Sequence, residues 1–479
     1  MFYVKNQILR PANFKFLRRS STVVENTLFI EDIPHPTSLP VLGTKLNFLF
    51  TGSGARLHEY IDRRHKKLGP IFRESLGSSS ELVFISDPGL MKALFLNLEG
   101  KYPAHILPDP WLLYEKLYGS KRGLLFMNGE EWLNYRRVMN KHILREGVET
   151  WLQNPIQETI SKFIQNWKSR AETEAFTPDL ETEFYRLSTD VIINILLGSK
   201  SSIKIDKHYE ELLALFSETV KNIFSTTTKL YGLPVNWIQC LNLKSWRDFK
   251  DSVDLSLFLA QKLVSEIINK KHDSNGLVAK LCDENISHDM ITRIIADFVI
   301  AAGDTSAYTT LWILLLLSKN KSMWENQHTN ASIHIKNVVK ESMRLYPVAP
   351  FLTRILPKES KLGLYKLKQG TPIICSIYTS ARDEKNFSKA NEFLPYRWDR
   401  NDPRKQDLKN HTPSASLPFA LGARSCIGKK IAMMQLTEVV SQITNNFELQ
   451  CLNSTEIKPI MSQVLVPDQH IKLLISLKK

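Results

Sequence analysis

The strongest chemical signal in this chain is one cysteine held between glycines and beside basic residues. Cys426 lies in Phe419-Ala420-Leu421-Gly422-Ala423-Arg424-Ser425-Cys426-Ile427-Gly428, with Arg424 two positions before it and a helical pattern from Lys429 onward. A reversal of the chain here calls for backbone freedom at Gly422 and Gly428. The amides that open the next helix point their positive end at the sulfur. A thiol so surrounded is expected to ionise more readily than a free one and to ligate a metal. The bland alternative is a buried, inert thiol, the usual fate of a lone cysteine.

Three further groups have the types and spacing for chemistry. Asp304 and Thr305 form an acid–hydroxyl pair within Ala301-Ala302-Gly303-Asp304-Thr305-Ser306, in the middle of a long apolar segment. Burying such a pair is costly unless something uses or satisfies it; a kinked helix with satisfied polar groups is the other reading. Trp132 and Arg136 lie four apart, on one helical face. They carry an indole N–H and a guanidinium fork, although core packing alone would also account for Trp132. Glu341 and Arg344 stand three apart, a spacing too common on helices to mean anything by itself.

The elements that must position these residues are mainly helices. A helix is expected over about Leu57–Leu68, then strands around Ile71–Leu76 and Glu81–Ser86. Apolar residues recur at i, i+3, i+4 through Glu130–Ala279, for example in Ile156–Trp167 and Leu255–Ile268. Ser287 is a plausible N-cap for a long helix ending at Lys319. Another helix covers about Ile333–Leu345, short strands follow in Thr353–Ile377, and a last long helix runs from after Gly428 to about Asn446. Pro34, Pro36, Pro40 and Gly43 stiffen Ile33–Gly43, where the folded body begins. No internal repeat or low-complexity tract interrupts one large, mainly helical domain with a small sheet.

With 43% hydrophobic and 23% charged residues, the 479-residue chain can build a large core. Its net charge of +14 is partly local. Lys5, Arg10, Lys15, Arg18 and Arg19 precede the first acid, Glu25, and Ser20, Ser21 and Thr22 follow them. An acid-free, basic, Ser-containing leader reads as a mitochondrial transit peptide over 1–24, with a disordered basic tail as the alternative. The rest of the chain still favours an acidic partner or an anionic membrane surface. No run of apolar residues is long enough to span a bilayer; Leu311–Leu317 is the longest. The five cysteines form no C-x-x-C pair, so neither a disulfide framework nor a zinc site is expected.

Phe419, Gly422, Arg424, Cys426 and Gly428 at these offsets resemble the haem-binding loop of the cytochromes P-450, F-x-x-G-x-R-x-C-x-G. The Ala301–Ser306 stretch, the E-x-x-R of Glu341 and Arg344, Pro395-Tyr396-Arg397-Trp398 and the Trp132/Arg136 pair stand in the order that family requires. The resemblance extends from about Ile33 to the C-terminus and implies a mainly α, single-domain cytochrome P-450 fold, with haem b between two long helices. Residues 33–479 would be the haem-thiolate monooxygenase domain. By the same resemblance Cys426 is the axial thiolate on iron, with Phe419 in the same haem-binding loop. Trp132, Arg136, Arg354 and Arg424 partner the haem propionates. Thr305 hydrogen-bonds oxygen at the haem face, Asp304 relays protons to it, and Arg397 joins Glu341 and Arg344 in a buried structural triad. Ala302 stands where the family usually has Gly, and Ala381 where His is frequent.

Within the family the chain resembles the mitochondrial class. Lys336 and Lys340 precede Glu341 where that class presents lysines to an acidic, adrenodoxin-like [2Fe–2S] ferredoxin, and Lys429 and Lys430 follow the haem loop. A solvated helix face is the alternative. The segments Arg344–Phe351 and Ala301–Ser306, and the short stretch between Ser318 and Ile335, are similar to the insect ecdysteroid 2-hydroxylases. The implied reaction inserts one atom of molecular oxygen into a steroid C–H bond, at C2 of an ecdysteroid precursor, on the matrix side of the mitochondrial inner membrane. Val348–Leu352, Ala301 and parts of His105–Phe126 would line the pocket. Leu230–Leu243 would touch the membrane surface, or else be core. Other readings stay open: a mitochondrial monooxygenase of another steroid position or of xenobiotics; a haem-thiolate isomerase, against which Thr305 counts; and a basic, haem-free protein binding membrane or nucleic acid by charge. Nucleic acid is not the expected partner.

Overall fold

The computed structural model describes residues 28–37, 44, 54–75, 81–119, 123–198, 207–230, 233–269, 276–321 and 331–478. The leader with its expected transit peptide, and most of the stiff segment Ile33–Gly43, fall outside them. Nine helices frame the site: α1 (Leu57–Leu68), α2 (Gly129–Met139), α3 (Glu149–Thr173), α4 (Leu180–Leu197), α5 (Lys207–Leu230), α6 (Lys244–Asn269), α7 (His288–Lys319), α8 (Ala331–Leu345) and α9 (Lys429–Asn446).

The longest of them, α7, organises the rest. Its start is set by Ser287, whose hydroxyl accepts the backbone N–H of Met290 at 3.3 Å. It packs against α4, α6, α8 and α9, and its Leu311–Leu317 run is buried throughout. By length and composition alone α7 could cross a membrane, but 78% of its most apolar window is buried inside the protein. It is the central core helix, hydrophobic nearly all round for that reason. Trp312 on α7 lies flat on Tyr346, ring centroids 4.0 Å apart, and its indole N–H donates to the Leu465 carbonyl at 3.1 Å.

The β structure is small and lies to one side. Strands β1 (Ile71–Glu74), β2 (Leu82–Ile85), β3 (Phe351–Ile355) and β4 (Pro372–Ser376) form a sheet in the order β1-β2-β4-β3. The central pair β2/β4 is parallel, with Val83 opposite Ile373, and both outer pairings are antiparallel. Two antiparallel pairs, Phe447–Cys451 with Leu473–Leu477 and Pro459–Ser462 with Val464–Pro467, close the C-terminal end.

The expected helices over Leu57–Leu68, from Ser287 to Lys319 and after Gly428 stand where the caps and periodicity put them. The stretch after α7 is short, as read: α8 begins at Ala331, and residues 322–330 lie outside the described ones. Leu230–Leu243 is neither all core nor all surface. Val235 and Ile238 of its short helix are buried, whereas Trp237 is 72% and Leu241 66% exposed.

Candidate active site

The cysteine loop leads directly into α9. Gly422 has φ +79°, the left-handed region that favours glycine, and a Cβ there would lie 2.3 Å from a Glu99 carboxylate oxygen. Gly428 differs from expectation: at φ −82° its backbone suits any residue, so the turn depends on Gly422 and on Ala420 at φ +57°. The Cys426 amide donates to the Phe419 carbonyl at 2.8 Å, closing the loop on itself. Amides of Gly428 and Lys429 point at the sulfur and favour its ionised form, as does Arg136.

Burial nevertheless outweighs them and pushes the Cys426 thiol up, not down. The loop alone therefore does not make a thiolate at neutral pH; a cation at the sulfur would. Cys426 is packed deep in the protein yet is accessible to solvent, which means it borders an internal space.

Around the loop stand the four residues expected to meet a buried anion. Arg136 Nη2 donates to the Ser425 carbonyl at 2.6 Å. Arg424 stacks 4.5 Å over the Trp132 ring, and donates to the Met127 carbonyl and, at 3.0 Å, to Asn128 Oδ1. Arg354 Nε donates to Glu99 Oε2 at 2.7 Å, while Glu99 Oε1 accepts the Ala423 amide at 2.7 Å. Arg424 Nη1 also donates to His105 Nδ1 at 2.9 Å. His105 is held neutral at about 3 by burial and by Arg424 and Arg354, so its proton sits on Nε2.

This cluster is short of negative charge. Arg136 Nε, Arg354 Nη2, Arg424 Nε and His105 Nε2 are buried donors without a partner. Burial first, and then mutual repulsion with Arg354 and Arg136, brings Arg424 down to about 10; burial brings Arg136 to about 10. Three guanidiniums with one carboxylate leave an excess of two positive charges. Two carboxylates of a bound group would supply what is missing, and haem with its pair of propionates fits that description.

On α7, Asp304 is buried, whereas Ala301 is exposed and Thr305 half-buried although the helix around them is not. The Thr305 hydroxyl donates to the Ala301 carbonyl at 2.6 Å. Burial is the main reason Asp304 is raised to about 7; Lys221 opposes and Glu181 adds to the shift. A Cβ at Gly303 would come within 2.8 Å of the Tyr185 phenol ring, which would have to shift to admit it.

Behind these elements, Glu341 on α8 collects a fully buried network. Oε1 accepts Arg344 Nη2 at 2.8 Å, Arg397 Nε at 2.9 Å and the Leu394 amide at 3.0 Å. Oε2 accepts Arg344 Nε and Trp398 Nε1, each at 2.9 Å. Burial pushes its carboxyl up, but Arg344 and Arg397 more than offset this and hold it below the ordinary range. Ala381, also fully buried, offers its carbonyl to Arg344 Nη1 at 2.8 Å. Lys336 and Lys340 stand exposed on α8, and burial and the neighbouring Lys336 lower the Lys340 ammonium.

Glu99, His105 and Asn128 are parts of the loop's surroundings that no motif announced. The same holds of Glu181, Tyr185 and Tyr308 around Asp304, and of His470 beside Glu181. Their contacts join residues far apart in sequence, as with Glu99 and Arg354, 255 positions apart.

A buried E-x-x-R triad, a central helix bearing an acid–hydroxyl pair and a cysteine loop ringed by unpaired guanidiniums define a haem-thiolate protein. The Cytochrome P450 family model matches residues 33–475, and the chain belongs to that family: it is a mainly helical monooxygenase that binds haem through a cysteine thiolate. Among its relatives, "Cytochrome P450 315a1, mitochondrial" of Drosophila melanogaster is 36% identical over 92% of this chain and 88% of the relative. The mitochondrial 1,25-dihydroxyvitamin D(3) 24-hydroxylase of Rattus norvegicus is 27% identical over 93% and 88%. The mitochondrial cholesterol side-chain cleavage enzyme of Hypanus americanus is 26% identical over 85% and 82%.

Proposed function

We propose that this chain is a mitochondrial steroid hydroxylase, acting on an ecdysteroid precursor at C2. The observation that carries the oxygenase part is the pair on α7: Thr305 on an accessible face and Asp304 buried beside it, able to hold or give a proton near neutral pH. Cys426 would ligate the haem iron, and Arg136, Arg354, Arg424, Trp132 and His105 would hold the propionates. Haem so bound supplies activation of molecular oxygen, one atom of which enters the substrate C–H bond while the other leaves as water. The chain's own residues bind, orient and protonate. Thr305 Oγ1, now bonded to the Ala301 carbonyl, can rotate away from it to donate on the accessible face of α7. Asp304 replaces the proton that Thr305 gives up.

The steroid reading draws support from the apolar, half-buried Val348, Ala349, Phe351 and Leu352 and the exposed Ala301, and from relatives named for vitamin D and cholesterol. The ecdysteroid branch rests on the similarity of Arg344–Phe351 and Ala301–Ser306 and on the short connection between α7 and α8. Exposed Lys336 and Lys340 suit an acidic, adrenodoxin-like [2Fe–2S] ferredoxin as electron donor. Leu233, Trp237, Leu241 and Leu243, exposed together, suit contact with the matrix face of the inner membrane.

The test is reconstitution with ferredoxin and its reductase, offering 2-deoxyecdysone beside other steroids, with the hydroxylated carbon mapped. Product at C2 that depends on ferredoxin is expected. Oxidation of non-steroidal compounds alone would refute the branch, and a reduced, carbon monoxide-treated protein without the red-shifted thiolate Soret band would refute the site.

A further inference from the structure

Asp304 is 5% exposed and must regain from somewhere each proton it gives up. The neighbouring side chains offer one direction. One turn further along α7, the Tyr308 hydroxyl donates to Oε1 of Glu181 at the start of α4. The other oxygen, Oε2, lies 3.2 Å from Nδ1 of His470. The side chain of His470 is 80% exposed and that of Glu181 32%, so exposure falls steadily from solvent to Asp304. Tyr185 fills the remaining space: its phenol end packs on Gly303, next to Asp304, and the Lys221 ammonium lies 4.9 Å from its ring centroid. Glu181 is also the anion that acts on Asp304 from this side, against Lys221 on α5.

We propose that Glu181, with His470 at the surface, is the group through which Asp304 exchanges its proton with solvent. This rests on Asp304 being the proton donor at the haem face. A proton from solvent, taken directly or through His470, binds the Glu181 carboxylate and passes to the emptied Asp304 carboxylate. Glu181 is again a carboxylate, the water or imidazolium that started the transfer is one proton poorer, and no other bond changes. Tyr308 is a positioning residue. Burial and Glu181 push its phenol far above its ordinary range, so it keeps its own proton and holds Glu181 toward α7. Among the described residues, the other titratable groups around this cluster are Lys221 on α5, which acts with Glu181 on Asp304, Tyr185 on α4, which acts with Glu181 and Asp304 on Tyr308, and Asp179 at the α4 cap, on which His470 and Lys221 act.

The experiment uses the haem-loaded full chain with ferredoxin, reductase and steroid, comparing wild type with Glu181→Gln, His470→Gln and Asp304→Asn. Turnover against pH, the solvent deuterium isotope effect and the share of electrons lost to peroxide are recorded. Separately, in the ferric enzyme, the infrared carboxyl band that Asp304→Asn abolishes is titrated. For Glu181→Gln the isotope effect and the peroxide share should rise. Turnover should fall by up to about 100-fold, the lower range for a positioned proton donor. The Asp304 band should titrate at lower pH, because a negative neighbour is gone. His470→Gln should raise the isotope effect in the same direction and by less.

Unchanged isotope effect and band midpoint in Glu181→Gln, with Asp304→Asn altering turnover, would overturn the relay and leave Asp304 in its role. An Asp304→Asn enzyme with normal coupling and isotope effect would overturn both. Should Glu181→Gln fail to fold, Glu181→Asp, which keeps the charge but draws the carboxylate back from Tyr308 and α7, decides: a raised isotope effect supports the relay, and no change overturns it.

Discussion

Glu341→Gln should be among the most destabilising isosteric changes in this protein. The carboxylate accepts five hydrogen bonds at 2.8–3.0 Å, from Arg344 twice, Arg397, Trp398 and the Leu394 amide, and Glu341, Arg344 and Arg397 are fully buried. An amide can keep the three donors at Oε1, but its NH2 then faces Arg344 Nε and Trp398 Nε1, setting donor against donor. The change also leaves two buried guanidiniums facing only carbonyls. Breaking a buried ion pair from one side costs about 3–5 kcal/mol, and two orphaned donors would add about 1–3 kcal/mol each if they were independent. They are not independent, so a net loss of about 4 kcal/mol is expected, close to a thousandfold in the folding equilibrium. The assay is the urea midpoint, followed both by haem absorbance and by far-ultraviolet dichroism. Arg397→Lys, which keeps the charge but drops the bonds to the Ser388 and Lys389 carbonyls, should lie between wild type and Glu341→Gln. The triad would also give way in acid: the folded Glu341 carboxyl is below its ordinary 4.5. Its contribution is therefore complete above that value and disappears as pH falls through the lower, folded one. A Glu341→Gln protein within about 1 kcal/mol of wild type would refute the reasoning, since surface changes commonly cost less than that.

Cys426→Ser should fold and lose the thiolate Soret band of the reduced carbon monoxide complex; a retained band would mean another ligand. Arg424→Lys keeps a charge but loses the fork over Trp132, and should speed haem dissociation by about 10- to 100-fold, the worth of one charge-assisted bond, read as transfer of haem to apomyoglobin. Asp304 is raised from 3.8 to about 7, so its contribution to stability is greatest below the ordinary carboxylate value and is lost as pH rises through about 7. Asp304→Asn should abolish that loss and gain about 2–4 kcal/mol on wild type between about pH 5 and pH 8, measured by urea melts. Trp237→Glu should weaken binding to anionic vesicles by about tenfold or more, since one buried aromatic is worth about 1.5–3 kcal/mol, with turnover in detergent unchanged.

What could be read from the residues was what local chemistry decides. Ser287 caps α7 because its hydroxyl meets an amide three residues on, and Leu311–Leu317 can only be core. The cysteine loop announces itself because Gly422 must adopt a left-handed turn against Glu99. The thiol was misjudged for the complementary reason. The helix amides act as read, and Arg136, expected only at the propionates, joins them, but the burial that overrides them comes from distant parts of the chain. Glu99 and Glu181 were invisible likewise, and His105 stood only at the edge of an expected pocket segment, since an isolated acid or histidine carries no pattern until the fold brings it to a guanidinium or a phenol. Arg136 and Arg354 were found by resemblance, while their prior commitments to Ser425 and Glu99 were not.

Two imbalances in the site have one remedy. The ring of Arg136, Arg354 and Arg424, with only Glu99 among them, is left with two positive charges and four unpaired buried donors. A few ångströms of chain away, Cys426 has amides aimed at it and yet is pushed toward the neutral thiol. An anion alone would settle the ring and leave the sulfur protonated; a bare cation would do the reverse, and among the described residues no group of three or more His, Cys, Asp or Glu could hold one. A planar group with two carboxylates at its rim and a metal cation at its centre answers both at once. Because each imbalance costs folding energy, binding such a group stabilises the folded chain itself. The apoprotein should therefore be markedly less stable than the haem-loaded enzyme, and Arg424→Lys should narrow the gap between them.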